Sequence, residues 1–589
     1  MASILSKKQK KKEKYTLKEL KSLGVELLSS RSHINNLPLL LSFISPESPP
    51  EFVVESLLSL QSFFTPLLSQ LPSTSSHPSS TKRSHDDSSK TTEAEDPEVI
   101  FKAWLRSKFD EFVKLLLDVL TSQQSEDALR EIVLGTLMEF VKLLNVGRYH
   151  SSIYQRLLHT IIHSAVDIDV FLNILTSKYF KYIDVRYFTY ISMEKFVKTL
   201  EASVVSADRM VIGNSEAEND SKESIELSVR NIYQVLSQIP TPEKQAEKSN
   251  HEMWSGLDES SSEKPKKKKK KTEEKDSSLL SPTTISKRMK LKFTKAWISF
   301  LRLPLPLDVY KEVLASIHQT VIPHLSNPTM LCDFLTKSYD IGGVVSVMAL
   351  SSLFILMTQH GLEYPNFYEK LYVLLVPSVF VAKHRAKFLQ LLDTCMKSSL
   401  LPAYLAASFT KKLSRLSLYI PPAGSLVITA LIHNLLRRHP TINHLVQETI
   451  ENTNEANTEA DENNESQPKT NKKQKLGIDY FNNQETDPKR SGALKSSLWE
   501  IDTLRHHYCP PVSRFVSSLE TDLTIRAKTA DIKIEDFSSG SYATIFGDEI
   551  RRRVKQVPLA FYKAVPTSLF ADSDFPGWTF TLPQEEGKC

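Results

Sequence analysis

Glycine is scarce in this chain, with 15 among 589 residues against 30 prolines. Loops that cradle phosphate or bring a backbone close to a dinucleotide depend on glycine, because a Cβ would block the turn or the approach. No GxxxxGK[ST] run occurs, and no GxGxxG follows a strand-like stretch. A GxSxG nucleophile elbow and an HExxH zinc helix are missing as well. The chain therefore reads as a protein without a cofactor or a small-molecule substrate, and not as an enzyme.

Cysteine is rarer still. Cys332, Cys395, Cys509 and Cys589 are too far apart for a zinc knuckle or a secreted disulfide framework, which points to a reducing compartment. The lysine-rich start, MASILSKKQKKKEKYTLKEL, lacks the apolar run of a secretory signal. The longest nearly apolar run, Val344 to Met357, falls short of the ~20 residues a bilayer needs and carries three serines, so it reads as a buried core helix with no membrane role.

Charge of one sign is also not in large excess. With 74 basic and 69 acidic residues the net charge is +5, so position matters more than sum. Three polar, low-complexity stretches lack the apolar side chains needed to offset the entropy of ordering. They divide the chain into an N-terminal helical segment with a basic tail (1–71), a disordered linker (72–98), a helical repeat region (99–239), a disordered lysine-rich linker (240–290), a helical domain (291–450), an acidic then basic disordered insertion (451–476) and a C-terminal helical region with an aromatic tail (477–589).

Between the linkers the period is helical. Leu405, Phe409, Leu413, Leu416 and Ile420 recur at steps of four, four, three and four, which places them on one stripe. Lys411 and Arg415 fall on the opposite side, and Pro421 and Pro422 stop the helix. The next segment, AGSLVITALIHNLLRRHP, is apolar nearly all round until Arg437 and Arg438, as expected of a central helix with cations in its last turn. Asp531 to Phe537 alternates weakly and is compatible with a short strand. Short connections between successive helices imply antiparallel stacking, so the predicted fold is all-α, a HEAT-like α-solenoid interrupted by disordered charged linkers.

Two arrangements invite a metal reading. His159 and His163 have the i, i+4 spacing of a zinc helix without its glutamate. In GALKSSLWEIDTLRHHYCPP, the residues Leu494, Leu498, Ile501, Leu504 and Tyr508 predict one amphipathic helix ended by Pro510 and Pro511. His506 and His507 then cap the last turn. Adjacent helical residues point about 100° apart, so only His506 and Cys509 share a face, and two ligands do not make a structural zinc site.

Lysine clusters are the more informative charge feature. Lys7 to Lys14, Lys264 to Lys271, Lys287 to Lys292 and the KTNKKQK run have the form read by nuclear import machinery or attracted to phosphate backbones. In the strongest of them, Lys266, Lys267, Lys268, Lys269, Lys270 and Lys271 are consecutive. A second basic set, Lys383, Arg385, Lys387, Lys411, Lys412, Arg415, Arg437 and Arg438, would form an RNA-binding or partner-binding edge if the helices stack with these side chains outward. Ordinary solvated helix faces carry the same residues. The tail LFADSDFPGWTFTL presents Phe570, Phe575, Trp578 and Phe580, either docked on its own domain or anchoring a partner.

Three long blocks carry a family resemblance: GGVVSVMALSSLFILMTQHGLEYPNFYEKLYVLL, then LLPAYLAASFTKKLSRLSLYIPP with IHNLLRRHP, and later GALKSSLWEIDTLRHHYCPPV. Over about Lys337 to Phe561 the chain resembles the CCAAT-binding-factor domain of the nucleolar complex proteins, including an SSLWE…HY-x-P signature. Cys509 before the proline departs from that pattern, and the first two hundred residues share only their helical character. The resemblance implies a non-enzymatic assembly factor of the small-subunit processome, resident in the nucleolus and nucleus. It further implies pairing with nucleolar protein fourteen, contact with pre-rRNA and the small-subunit precursor particle, and roles in rRNA maturation and nuclear export. The domain's historical name suggests a CCAAT-binding transcription factor as the alternative, although no recognition helix or zinc finger is visible. The expected division of labour has the core from Leu303 to Ile450 docking the partner while basic segments touch rRNA.

Overall fold

A computed structural model of the protein describes residues 15–71, 97–143, 149–209, 215–242, 252–255, 282–382, 385–446, 479–520, 523, 525 and 529–552. Among these residues the regular structure is entirely helical, with no strand. They form two compact units, Met1–Pro365 and Asn366–Cys589. The stretch 291–450, expected as one domain, is thus divided between them.

The first unit runs through α1 (Leu17–Ser29), α2 (Asn36–Phe43), α3 (Pro50–Leu67), α4 (Pro97–Thr121), α5 (Asp127–Leu143), α6 (Ser151–Ile162), α7 (Asp169–Ile174), α8 (Ile183–Arg209), α9 (Ser215–Gln238), α10 (Pro282–Phe300), α11 (Leu307–Thr320), α12 (Cys332–Asp340) and α13 (Gly343–His360). Most packing is between near neighbours in sequence, such as α4 with α5 and α12 with α13. Thr16 and Glu19 form a reciprocal capping box that starts α1. Gly24 then lets α1 approach α3, since a Cβ there would lie 2.3 Å from the Ser59 hydroxyl. Four phenylalanines on three helices, Phe64, Phe109, Phe112 and Phe140, meet with ring centroids 5.3 to 5.8 Å apart in edge-on and stacked pairs. All four are fully buried.

The most extensive pairing joins two helices distant in sequence, α8 and α10. Here the expected boundaries need correction. The region 240–290 was read as linker, yet α10 begins at Pro282 and residues 252–255 are ordered against the start of α8. Fully buried Asp184 accepts hydrogen bonds from the backbone N–H groups of Val185, Trp254 and Ser255 at 2.9, 3.0 and 2.9 Å. The Trp254 indole donates to the Met138 carbonyl at 3.1 Å and stands edge-on to Tyr179. A short segment of a polar stretch is thereby held by a carboxylate that satisfies three N–H groups at once.

The apolar helix α13 is long and apolar enough to cross a membrane by length and composition alone. It is core on one face only: Ser346, Ala349, Leu350, Ser352, Leu353 and Leu356 are buried, whereas Val344 at its start is 66% exposed. Tyr339 and Asp340 close the preceding turn, where the Ser346 hydroxyl donates to the Tyr339 carbonyl.

The second unit contains α14 (Phe367–Val373), α15 (Arg385–Cys395), α16 (Ala403–Ser417), α17 (Pro422–Arg438), α18 (Trp499–Leu504), α19 (Pro510–Val516), α20 (Glu535–Ser538) and α21 (Tyr542–Arg551). The expected stripe of α16 is buried from Leu405 to Leu416, and Ile420 beyond its end is buried with it. The helix α17 is buried on all sides from Gly424 to Leu436. Pro422 sits at its first turn, where the missing N–H costs nothing.

The predicted single helix over Leu494 to Tyr508 is broken into pieces. Gly492 adopts φ +73° beside the Tyr480 carbonyl, a 3-10 turn covers Ala493–Lys495, Ser496 is extended, and only Trp499–Leu504 is α-helical. Two long-range bonds need the extended stretch: the Leu498 N–H donates to the Leu445 carbonyl at 2.9 Å, and the Ser497 carbonyl accepts from Lys411 Nζ at 2.6 Å. Both groups would be consumed by helix bonds in a continuous helix. Likewise Asp531 to Phe537 is not a strand. The Asn434 side chain donates to the Ile532 carbonyl at 2.9 Å and accepts its N–H at 2.8 Å, so an amide on α17 pairs with the extended backbone as a neighbouring strand would.

Candidate interaction surface

The basic residues expected on an outer edge of the second unit are mostly internal. Lys411 is fully buried, Lys412 is 9% exposed, and Arg415 is largely covered. This corrects the expectation that Lys411 and Arg415 point away from the core. The cause is a set of acids contributed by the later chain.

Glu500, also fully buried, accepts through Oε2 from Lys411 Nζ at 2.9 Å and from the Ser414 hydroxyl at 3.1 Å. Arg415 Nε lies 3.0 Å from Glu500 Oε1, close in charge although not aligned as a hydrogen bond. Asp479 Oδ2 pairs with Arg415 at 2.5 Å and with Lys411 at 3.1 Å, and accepts from the Trp499 indole at 2.9 Å. Partial burial of Asp479 opposes its charge, but the donors Ser496, Trp499, the Phe481 N–H and Lys411 outweigh it and hold this carboxyl well below the usual range. The Arg415 guanidinium lies 4.8 Å from the centroid of the Trp499 ring, which closes the cluster by a cation–π contact.

Lys412 has no acid. Its ammonium donates to the Tyr372 carbonyl at 2.7 Å and sits 3.9 Å from the centroid of that residue's ring. Burial pushes its pKa down to about 8. Arg437 and Arg438 are likewise committed. Arg438 grips Asp393 through two bonds of 2.8 and 3.1 Å, and both arginines bond Asp531. These contacts, more than the helix dipole, fix the end of α17.

Among the described residues of the basic set only Lys387 is exposed; Arg385 is half-buried, as are Arg415, Arg437 and Arg438, and it donates to the Gly540 carbonyl at 2.6 Å. Lys383 lies outside the described residues, as do Lys266, Lys267, Lys268, Lys269, Lys270 and Lys271 and the tail from 553 to 589. Among the described residues, Lys411, Lys412, Arg415, Arg437 and Arg438 are held in internal contacts and do not join Arg385 and Lys387 in one outward edge.

Two of the histidines weighed as metal ligands, His163 and His507, have other partners. Among the described residues no group of three His, Cys, Asp or Glu side chains is placed to hold an ion. His507 Nδ1 accepts the Cys509 N–H at 3.0 Å, so it shapes the turn into α19 instead of capping carbonyls. His163 bonds the Ser228 hydroxyl at 2.9 Å, a tie between helices.

The second unit also carries a cleft of mixed character. A cleft of about 380 Å³ is lined by Leu445, Val446, Leu498, Trp499, Ile501 and Leu519, with Asp502, Arg505 and Glu520 also lining it. Trp499 is 41% exposed and Val446 equally so. Aromatic and aliphatic side chains with charges beside them make up the usual composition of a protein-binding surface. Neither the cleft nor the ion cluster was foreseen, although the aromatic and acidic pair Trp499-Glu500 was their available signal.

Comparison with known proteins accounts for both units. Residues 346–516 match the family model described as "CBF/Mak21 family", and residues 8–202 match "Nucleolar complex protein 4-like, TPR repeats". The second match covers the region in which the family resemblance extended only to helical character, and its helical-repeat description agrees with the expected all-α solenoid. The chain is 86% identical over its full 589 residues to "Protein NUCLEOLAR COMPLEX ASSOCIATED 4" of Arabidopsis thaliana, covering all of that protein. It is 31% identical to "Nucleolar complex protein 4 homolog B" of Xenopus laevis, over 84% of this chain and 83% of that one. Against the homolog of Gallus gallus the identity is 32%, over 78% of this chain and 80% of that one. Its two matched regions and its length-spanning relatives agree, and the chain belongs to the nucleolar complex protein 4 family.

Proposed function

We propose that this protein is a non-enzymatic helical scaffold of ribosome assembly, acting in the nucleolus within the small-subunit processome and serving rRNA maturation and export of the precursor subunit. The observation that carries the reading is the commitment of the second unit's charged side chains to internal pairing. Lys411, Arg415, Trp499 and Glu500 hold one another in place, which suits a rigid binding platform. The nucleolar names of the relatives support the location.

The platform offers its cleft to a protein partner, for which the family resemblance points to nucleolar protein fourteen. Because the cations of α16 and α17 are internally paired, contact with pre-rRNA falls to the lysine runs, Lys266 to Lys271 above all, with Lys387 as an exposed addition. Affinity purification of the tagged full-length protein with RNA crosslinking tests both halves. Deletion of Lys264 to Lys271 is expected to reduce pre-rRNA recovery while partner recovery is unchanged. Loss of the partner in that deletion would break the division of labour, and recovery of sequence-specific DNA without pre-rRNA would replace the scaffold with a transcription factor.

A further inference from the structure

The last described helix, α21, is oriented against expectation. Its residues Tyr542, Phe546 and Ile550, spaced by four, form one apolar line, yet they are 62, 68 and 66% exposed. Tyr508, 74% exposed, extends the line, its hydroxyl 3.4 Å from that of Tyr542. No residue of α21 is buried. Polar contacts fix the orientation instead: Arg514 grips Glu549 through bonds of 3.1 and 2.5 Å, Ser541 and Thr544 form a capping box, and Arg385 holds the Gly540 carbonyl just before the helix. A ten-residue helix is marginal on its own, and this apolar line adds nothing to its packing within the described residues.

We propose that the line Tyr508, Tyr542, Phe546, Ile550 is the docking seat of this chain's own C-terminal segment Leu569–Leu582. Three observations favour this occupant over a second copy or another protein. The chain leaves α21 at Arg552 and continues to Cys589, so the segment is tethered at the edge of the seat and its effective concentration there is high. The 18 residues from Arg552 to Phe570 span up to ~60 Å when extended, whereas the line along α21 is only ~12 Å long, so reach is ample. The segment matches in kind: Phe570, Phe575, Trp578 and Phe580 supply large apolar side chains for an apolar line, and Pro576-Gly577 is the central pair that type II turns favour. Asp572 and Asp574 precede that turn and complement the exposed Arg551 and Arg552 at the end of α21. The proposal is independent of the role in ribosome assembly.

Hydrogen exchange on the full-length protein tests it. Amides of Ile545 to Arg551 are expected to exchange at least tenfold more slowly in the parent than in the triple variant Phe575→Ala, Trp578→Ala, Phe580→Ala, at any protein concentration. Equal exchange in the two proteins overturns the proposal. Protection that fades on dilution overturns it in favour of a second copy, and protection present only after adding another nuclear protein does so in favour of a partner. A second measurement uses a Cys589→Ser background: Phe546→Cys with Trp578→Cys is expected to form an intramolecular disulfide under mild oxidation. The control pair, Tyr419→Cys with Trp578→Cys, probes another exposed aromatic of the same unit. A yield no higher than this control counts against the seat.

Discussion

The two units solve the same problem, holding many short helices together, by opposite means. The first joins α3, α4 and α5 through a cluster of buried phenylalanines. The second places Lys411 and Glu500 in its interior and closes them with Arg415, Asp479 and Trp499. An aromatic cluster tolerates small displacements because dispersion is nondirectional. A buried ion cluster does not, since each charge removed from water must keep its partner. The contrast places geometric precision in the unit that also carries the cleft beside Trp499.

The sharpest way to break the contrast is Glu500→Ala, which strands Lys411 in the core. A loss of about 3–5 kcal/mol is expected, confined to the second unit. Urea denaturation followed by hydrogen exchange checks it, and equal destabilisation of both units would erase the distinction drawn here. In the first unit the nearest equivalent is Asp184→Ala, which leaves the Trp254 and Ser255 N–H groups without their acceptor. About 2–3 kcal/mol is expected there. Faster amide exchange at Trp254, with the second unit unaffected, is the readout.

Lys412 gives a smaller, pH-dependent test. Its pKa falls from the ordinary 10.5 to about 8 in the folded chain because burial penalises the ammonium. Between those values the unfolded chain binds a proton that the folded chain does not, so this group contributes stability that grows as pH rises from about 8 to 10.5. Relative to Lys412→Met, the parent is expected to gain about 1–2 kcal/mol over that window, less than the full shift because of solvent screening. Denaturation midpoints of the pair at pH 7.5 and 10.5 measure the difference. At the smallest end, Lys387→Ala on the surface of α15 is expected to alter stability by less than about 0.5 kcal/mol, while lowering RNA recovery slightly if that face carries rRNA.

Helix existence was legible from local pattern, and charge placement was not. The stripe Leu405, Phe409, Leu413, Leu416 is buried as its spacing required, and the prolines at 421 and 422 separate α16 from α17. Lys411 looked solvated because only its own helix was in view; its counter-charge comes from Glu500, 89 residues later. Trp254 was overlooked for a related reason: composition averaged over a polar stretch hides one aromatic that a distant carboxylate and indole acceptor hold. The SSLWE block shows the same limit from the other side. Its residues marked the family correctly, but the long helix drawn through them ignored the demand that Ser497 and Leu498 place on their backbone groups.

The pairing of Lys411 with Glu500 also has a consequence in time. A ribosome adding about 5–20 residues per second delivers the acid roughly 4–18 s after the lysine. During that interval α16 has emerged with an ammonium on a face that is destined for the interior, and burying it early would cost more than leaving it in water. The ion cluster thus penalises closure of the second unit on an incomplete chain, and the penalty is lifted when the segment that carries Glu500 and lines the cleft has been made.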